Sequence, residues 1–126
     1  LLVRQYRKAV EEFLTEIPAG LMNAQETPLL AAQRELLEET GFKARQWRYI
    51  LSFFTAPGFC NEKIHLFLAT DLSAGKPQPD EDEFIELLKI PLPEAYRMVM
   101  EGTIQDAKSI IGIQHAFSNL NSLWGD

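Results

Sequence analysis

Hydrophobic and polar residues follow one another along this chain with periods that predict both strands and helices. Residues 1–10 and 13–17 have strand-like patterns, and Pro18 ends the second. Residues 47–55, 62–72 and 84–90 predict three further strands. Helical spacing of apolar residues predicts helices over 28–40, 93–101 and 104–123. This order predicts an α+β fold with four or five strands and three helices.

The helix over 28–40 has clear signals at both ends. Thr27 before Pro28 predicts an N-cap and a first helical residue, and Gly41 predicts the residue just past the helix end. An apolar stripe is predicted from the 3.6-residue period, formed by Leu29, Leu30, Ala32, Leu36 and Leu37. Three glutamates share the opposite side: Glu35, Glu38 and Glu39. Carboxylates at this spacing repel one another and destabilise a helix unless a cation lies between them.

A hard divalent ion would supply that positive charge. Oxygen ligands without a nearby histidine or cysteine favour Mg²⁺, with Mn²⁺ as the alternative, over zinc. Mg²⁺ held by a few carboxylates keeps positions for water and for substrate phosphates, which indicates phosphoryl chemistry. The plainer alternative is an amphipathic helix with a solvated acidic face.

The wider segment has the pattern G-x5-E-x7-R-E-L-x-E-E-x-G-F, whose fixed positions are Gly20, Glu26, Arg34, Glu35, Leu36, Glu38, Glu39, Gly41 and Phe42. This pattern resembles the complete signature of the Nudix hydrolases. The resemblance implies Mg²⁺-dependent hydrolysis of a nucleoside diphosphate linked to another moiety, on a Nudix fold in which a mixed β-sheet lies between helices (α/β/α). It also implies that Glu26 and Arg34 pair to brace the loop against the helix. The implied metal ligands are Glu35, Glu38, Glu39 and the backbone carbonyl of Ala19.

Other segments resemble the ADP-ribose pyrophosphatases of that family. The first seven residues, LLVRQYR, resemble the strand before the loop, which implies that Arg7 faces an anionic substrate; an edge strand with exposed basic residues is the alternative. Glu16 either contacts substrate or holds the turn. Pro57 lies 15 residues beyond Phe42, and the segment PGFCNE resembles a loop that lies against the terminal ribose. Glu62 is then the sugar contact, although a plain strand connection is the alternative.

An acidic run, residues 80–83, comes directly before the predicted strand over 84–90. It resembles a mobile loop that brings a further glutamate to the metal cluster or to the attacking water. Glu83 is the best candidate for this catalytic and metal-binding role, and Glu81 is the next. A solvated acidic loop is the alternative interpretation.

Composition narrows the partners. The 126 residues, of which 46% are apolar, suit a single domain over residues 1–126. The net charge of −6 disfavours nucleic acid and anionic membranes as partners. The single cysteine, Cys60, cannot form an internal disulfide, which predicts a cytoplasmic protein. Because the chain begins inside an apolar, strand-like run without methionine, we expect that an N-terminal strand region is missing.

The predicted reaction is hydrolysis of the diphosphate of ADP-ribose, or of a related nucleoside diphosphate sugar, to AMP and ribose 5-phosphate. The resemblance also implies a homodimer where the N-terminal region is present. Two alternatives stay open. One is a regulatory module that binds ADP-ribose or a nucleotide without turnover. The other is a Nudix pyrophosphatase of another nucleotide, such as a nucleoside triphosphate or a diadenosine polyphosphate.

Overall fold

The computed structural model describes residues 1–75 and 85–119. Within these residues the order of elements is β1 (Leu2–Arg7), β2 (Glu12–Glu16), α1 (Pro28–Thr40), β3 (Phe42–Phe54), β4 (Lys63–Ala74), β5 (Ile85–Leu88), α2 (Leu92–Met100) and α3 (Ala107–Ser118). Five strands and three helices in the described ranges confirm the predicted α+β class. The chain divides into two compact units, Leu1–Ile17 with Phe84–Asp126 and, between them in sequence, Pro18–Glu83.

The first unit contains a three-stranded sheet in the order β2-β1-β5, and both pairings are antiparallel. In the register of β1 and β2, Val3 lies opposite Glu16 and Tyr6 lies opposite Phe13. Helices α2 and α3 pack with this sheet around a cluster of buried apolar residues: Leu2, Ala95, Val99, Ile104 and Ile113. Burial of these side chains is the main favourable contribution to the stability of this unit.

The second unit contains α1 and a long antiparallel hairpin of β3 and β4. The hairpin pairs Phe42 with Ala74 at one end and Phe54 with Lys63 at the other, with a bulge between Tyr49 and Leu51. The rings of Trp47 and Tyr49 on β3 each contact the ring of Phe67 on β4 edge to face. Residues 55–62 connect the two strands at the end of the hairpin where Phe54 pairs with Lys63.

Several predicted boundaries are wrong for local reasons. Strand β1 ends at Arg7 rather than at residue 10, because the chain turns there and the N–H of Val10 donates to the carbonyl of Arg7 at 3.2 Å. Strand β3 begins at Phe42 rather than at residue 47, because Gly41 ends α1 and the chain enters the strand at once. Helix α3 begins at Ala107 rather than at residue 104, because the side chain of Asp106 accepts a hydrogen bond from the backbone of Ser109 and caps the helix. The helix ends at Ser118, with Asn119 as its C-cap, rather than continuing to residue 123 as predicted; residues 120–123 lie outside the described residues.

The buried face of α1 also differs from the predicted stripe. Ala31, Leu36 and Thr40 are buried, whereas Leu29 and Leu30 are 37% and 53% exposed. Periodicity identified Leu36 correctly but could not place the centre of the stripe, because the first turn of the helix lies at the surface. No helix within residues 1–75 and 85–119 combines the length and the apolar character needed to cross a membrane.

Candidate functional site

Helix α1 begins and ends at the residues that its sequence signals predict. The hydroxyl of Thr27 accepts a hydrogen bond from the N–H of Leu30 at 3.2 Å, and Pro28 occupies the first turn. Gly41 has φ 76°, a left-handed conformation that costs little only in glycine, and its N–H donates to the carbonyl of Leu37 at 2.9 Å. These ends fix the register of the three glutamates on the helix.

Arg34 uses all five of its N–H groups as donors. Nε and Nη2 form a fork on the carboxylate of Glu26, at 2.7 and 2.9 Å, and Nη2 also donates to the carbonyl of Leu21 at 2.8 Å. Nη1 donates to Glu35 at 2.6 Å and to Glu38 at 3.0 Å. The predicted pairing of Glu26 with Arg34 is confirmed. One guanidinium thus connects the loop before α1 to two glutamates of the helix.

The charges in this cluster perturb one another. The hydrogen bond from Arg34, reinforced by one from the backbone N–H of Asn23 at 2.8 Å, holds the pKa of Glu26 below its ordinary value. The hydrogen bond with Glu26, followed by the contact with Glu35, raises the pKa of Arg34, which therefore stays charged throughout the usual pH range. The loop is braced by an ion pair that remains ionised under physiological conditions.

The loop backbone lies directly against the helix carboxylates. The N–H of Ala19 donates to Glu39 at 3.1 Å. A Cβ atom added at Gly20 would overlap the carboxylate of Glu35, so any other residue there would have to displace that carboxylate. This close approach explains why the signature has a glycine at position 20. The backbone conformation there is not one that requires glycine.

The donor set suits a hard divalent ion, because all the candidate groups are oxygens and two carboxylates converge on one nitrogen of Arg34. In the described ranges, 1–75 and 85–119, no three histidine, cysteine, aspartate or glutamate side chains are gathered as a ready metal cage. Arg34 places a positive charge beside Glu35 and Glu38, where the sequence predicts a divalent ion. Metal ligation stays a prediction for Ala19, Glu35, Glu38 and Glu39, and Glu83 lies outside the described residues.

In the first unit, Arg7 and Glu16 form a fork-shaped ion pair. Nε and Nη2 of Arg7 donate to the two carboxylate oxygens of Glu16 at 2.7 and 2.8 Å, and the side chain of Glu16 is 1% exposed. Burial alone would raise the pKa of Glu16, but hydrogen bonds from Arg7 and Lys108 and their positive charges outweigh it and lower that pKa. The geometry supports Glu16 as the residue that holds Arg7, and substrate contact by either residue stays a prediction.

Sequence analysis missed the residues on α3 that complete this cluster. Nζ of Lys108 donates to Glu16 at 2.6 Å and to Asp106 at 2.9 Å, and Oγ of Ser109 accepts from the N–H of Ile17 at 2.8 Å. Lys108 is 92 positions from Glu16, too far apart for any local pattern to pair them. The one available signal was Asp106, an N-cap residue type just before a run of helical periodicity.

The tip of the β3–β4 hairpin carries the predicted sugar contacts. The hydroxyl of Thr55 donates to the carboxylate of Glu62 at 2.7 Å, and the N–H of Thr55 donates to the carbonyl of Glu62 at 3.2 Å. Pro57 and Glu62 are both exposed, and Phe59 is 89% exposed. The tip therefore presents an oriented carboxylate and an aromatic ring at the surface, while substrate contact by Pro57 and Glu62 stays a prediction.

Known proteins are similar to this chain in sequence and in fold. Over 117 residues, 91% of this chain, it is 43% identical to the "Methanol dehydrogenase activator" of Bacillus methanolicus and 42% identical to the "ADP-ribose pyrophosphatase" of Bacillus subtilis (strain 168). The chain covers 63% of each of these relatives, less than two thirds of their length. A solved structure described as "Crystal structure of ADP compounds hydrolase" superposes with a TM-score of 0.87 at 24% identity, over 98% of this chain and 66% of that one.

The structural likeness confirms the predicted fold, since it extends over nearly the whole chain. The model of the NUDIX domain matches residues 1–110, which include the loop, α1 and the hairpin. Together with the relatives above 40% identity, this match establishes that the chain belongs to the NUDIX domain family.

Proposed function

We propose that this chain is the catalytic part of a divalent-metal-dependent hydrolase that cleaves the diphosphate of ADP-ribose to AMP and ribose 5-phosphate. The observation that carries the proposal is the ion-pair cluster in which Arg34 binds Glu26, Glu35 and Glu38. Binding without turnover would not require the three glutamates of α1, and this chain has all of them. The name of the Bacillus subtilis relative supports ADP-ribose, and other nucleoside diphosphate sugars form the wider substrate class.

The glutamates of α1 would hold the metal, with Mg²⁺ favoured and Mn²⁺ as the alternative. Its ligands would be Glu35, Glu38, Glu39, the carbonyl of Ala19 and, as a further ligand or water-positioning group, Glu83. When bound, the metal would offset charge on the phosphate oxygens and lower the pKa of a bound water, so that no covalent enzyme intermediate is required.

The chain's own residues prepare this site. Arg34 directs Glu35 and Glu38 toward the same side of the helix, because both accept hydrogen bonds from its Nη1. The N–H of Ala19 orients Glu39. The bond from Ala19 restricts the rotamers of Glu39 before any ligand arrives, which lowers the entropic cost of binding, whereas a metal would replace Nη1 of Arg34 on Glu35 and Glu38.

Substrate recognition would come from other residues. Arg7 is 43% exposed along its side chain and would contact an anionic group of the substrate, while Glu16 fixes the direction of its guanidinium. Glu62, oriented by Thr55, would accept hydrogen bonds from sugar hydroxyls beside Pro57. A carboxylate that is already oriented is well suited to discriminate between sugars.

A second candidate function is regulation through nucleotide binding without turnover. The relative named "Methanol dehydrogenase activator" favours it, since that name describes an effect on another enzyme. Under this alternative the chain would bind ADP-ribose but release no product.

Product analysis by anion-exchange chromatography separates these functions. The protein and its Glu39→Gln variant are incubated with ADP-ribose and Mg²⁺, with GDP-mannose and ATP as comparison substrates. AMP and ribose 5-phosphate from the parent and not from the variant would support the proposal. Turnover of a comparison substrate alone would preserve the enzyme class and refute ADP-ribose, whereas ADP-ribose binding without any product would support the regulatory candidate.

We also propose that the protein acts in the cytoplasm and forms a homodimer where the N-terminal region is present. The single cysteine, Cys60, is an exposed free thiol, which suits a reducing compartment. Sedimentation equilibrium of the protein with an N-terminal region would test the dimer, and a mass equal to one chain at micromolar concentration would refute it.

A further inference from the structure

A chain of four charges runs through the first unit from Arg7 to the start of α3. The fork of Arg7 holds Glu16, Nζ of Lys108 donates to the same Glu16 at 2.6 Å, and Lys108 also donates to Asp106 at 2.9 Å. The signs alternate along the chain, so the two cations and two anions balance. Glu16 and Lys108, the two middle members of this chain of charges, each contact an opposite charge on both sides.

Burial in this chain of charges is greatest at Glu16 and least at Arg7. The exposed fractions of the side chains are 1% for Glu16, 12% for Lys108, 18% for Asp106 and 43% for Arg7. An unpaired carboxylate as buried as Glu16 would be strongly destabilising, so its contacts are tightly constrained. Arg7 is the member that solvent and ligands can reach.

Lys108 and Arg7 share one oxygen of Glu16. Nη2 of Arg7 and Nζ of Lys108 both donate to Oε1, whereas Nε of Arg7 donates to Oε2. A carboxylate held by Arg7 alone could rotate with the arginine side chain. The lysine fixes the plane of the carboxylate, and the fork geometry then fixes the plane of the guanidinium.

A second contact holds the backbone at the same place. The N–H of Ile17, next to Glu16, donates to Oγ of Ser109 at 2.8 Å, and that hydroxyl donates to Asp106 at 2.5 Å. Ser109 is fully buried. Because this contact does not involve Lys108, the end of β2 remains attached to α3 when the lysine is replaced.

We propose that Lys108 is a positioning residue that orients Arg7 for anion binding through their shared contact with the buried carboxylate of Glu16. This role rests on the proposed function, in which Arg7 contacts an anionic group of a nucleoside diphosphate sugar. Lys108 itself does not touch the substrate. Its contribution is to hold the guanidinium in one direction before the ligand binds.

The test is steady-state kinetics with ADP-ribose and Mg²⁺. Replacing Lys108 with methionine keeps the aliphatic stem and removes the hydrogen bond to Glu16. We expect KM to rise about tenfold, the effect of one hydrogen bond to a charged group, and kcat to change less than about twofold. Lys43→Met, which removes the same charge from an exposed position on β3, should leave both constants unchanged.

A double-mutant cycle shows whether Lys108 acts through Arg7. In an Arg7→Lys background, which keeps a cation beside the buried Glu16 but removes the guanidinium fork, Lys108→Met should have little further effect on KM, since the fork that it orients is absent. An equal rise in KM in both backgrounds would overturn the proposal. A fall in kcat with KM unchanged would also overturn it.

A second variant separates positioning from charge balance and guards against misfolding. Asp106→Asn combined with Lys108→Met keeps an N-cap side chain and removes one charge of each sign. The proposal expects KM to stay raised in this variant, whereas recovery of the parent KM would refute positioning in favour of net charge. If the parent itself hydrolyses neither ADP-ribose nor GDP-mannose, the proposed function fails and this inference falls with it, an outcome visible without any variant.

Discussion

Replacing Arg34 with lysine is expected to lower the free energy of unfolding by about 2–3 kcal/mol. The arginine donates five hydrogen bonds, four to carboxylates and one to the carbonyl of Leu21. A lysine ammonium has three donors and no planar fork, so at least two bonds are lost. Each bond to a charged group contributes about 1.5 kcal/mol at the lower end of its range, which is appropriate for a side chain that is 26% exposed.

Arg34→Met should be more damaging, with a total loss of about 4 kcal/mol, because Arg34 then no longer offsets the charges of three neighbouring glutamates. Arg97→Met is the matched control. Arg97 also lies on a helix between two glutamates, but its contacts with Glu94 and Glu101 are 3.8 and 3.9 Å long and its side chain is 65% exposed. Exposed pairs of this kind contribute little, so the control should lose at most about 0.5 kcal/mol.

Urea unfolding followed by circular dichroism measures these differences. The slope of the free energy against urea concentration should be the same in all variants, so that a shifted midpoint reports stability alone. If Arg34→Met is no more destabilising than Arg97→Met, the five hydrogen bonds do not have the structural importance assigned to them. If Arg34→Lys matches the parent, the fork geometry is unimportant and a point charge is enough.

Other features of the site give further tests. Gly20→Ala should displace the carboxylate of Glu35 and cost about 1.5 kcal/mol by urea unfolding, and an unchanged midpoint would show that the loop can yield. The pKa of Glu16 lies below its ordinary 4.5, because the hydrogen bonds of its two cationic partners outweigh the effect of burial. Its contribution to the free energy of unfolding is therefore present above about pH 4.5 and is lost as the pH falls through the lower pKa of the folded state. In Glu16→Gln the free energy of unfolding should depend less on pH in the acid range. A curve of free energy against pH that runs parallel to that of the parent would contradict this role of Glu16. Thr27→Ala should lower the free energy of unfolding by about 1 kcal/mol through loss of the N-cap hydrogen bond, whereas Thr27→Ser should retain most of that stability. Mg²⁺ at ten times its Kd should stabilise the parent by about 1.4 kcal/mol, reversibly with EDTA, and should have a weaker effect on Glu39→Gln.

What the sequence could predict depends on the range of the interactions involved. Helix α1 was predicted from residue 28 to residue 40 because its limits are set by neighbours, Thr27 with Leu30 and Gly41 with Leu37. The pairing of Glu26 with Arg34 spans eight residues and was implied by the motif. Local chemistry and a dense motif thus predicted the centre of the candidate site.

The contacts of Glu16 could not be predicted in the same way. Its partner Lys108 comes from a helix 92 positions later, and no spacing rule connects residues across such a distance. The substrate-contact hypothesis for Glu16 considered only its position before the loop. Its almost complete burial became visible only when β2 was paired with β1 and placed beside the start of α3. Long-range packing decides the environment of such a residue.

The crowded carboxylates on α1 do have a cation beside them, and that cation, Arg34, is part of the motif itself. Arg34 divides its donors into two sets, with Nε and Nη2 on Glu26 and Nη1 on Glu35 and Glu38. If Glu35 and Glu38 ligate a metal, they would give up their contact with Nη1. The fork on Glu26 is untouched, so the loop should stay braced while the metal enters and leaves. Metal affinity is then set by competition with an internal cation, and Arg34→Met should bind Mn²⁺ more tightly than the parent in a titration monitored by electron paramagnetic resonance. Weaker binding by Arg34→Met would instead mean that orientation of the glutamates matters more than competition for them.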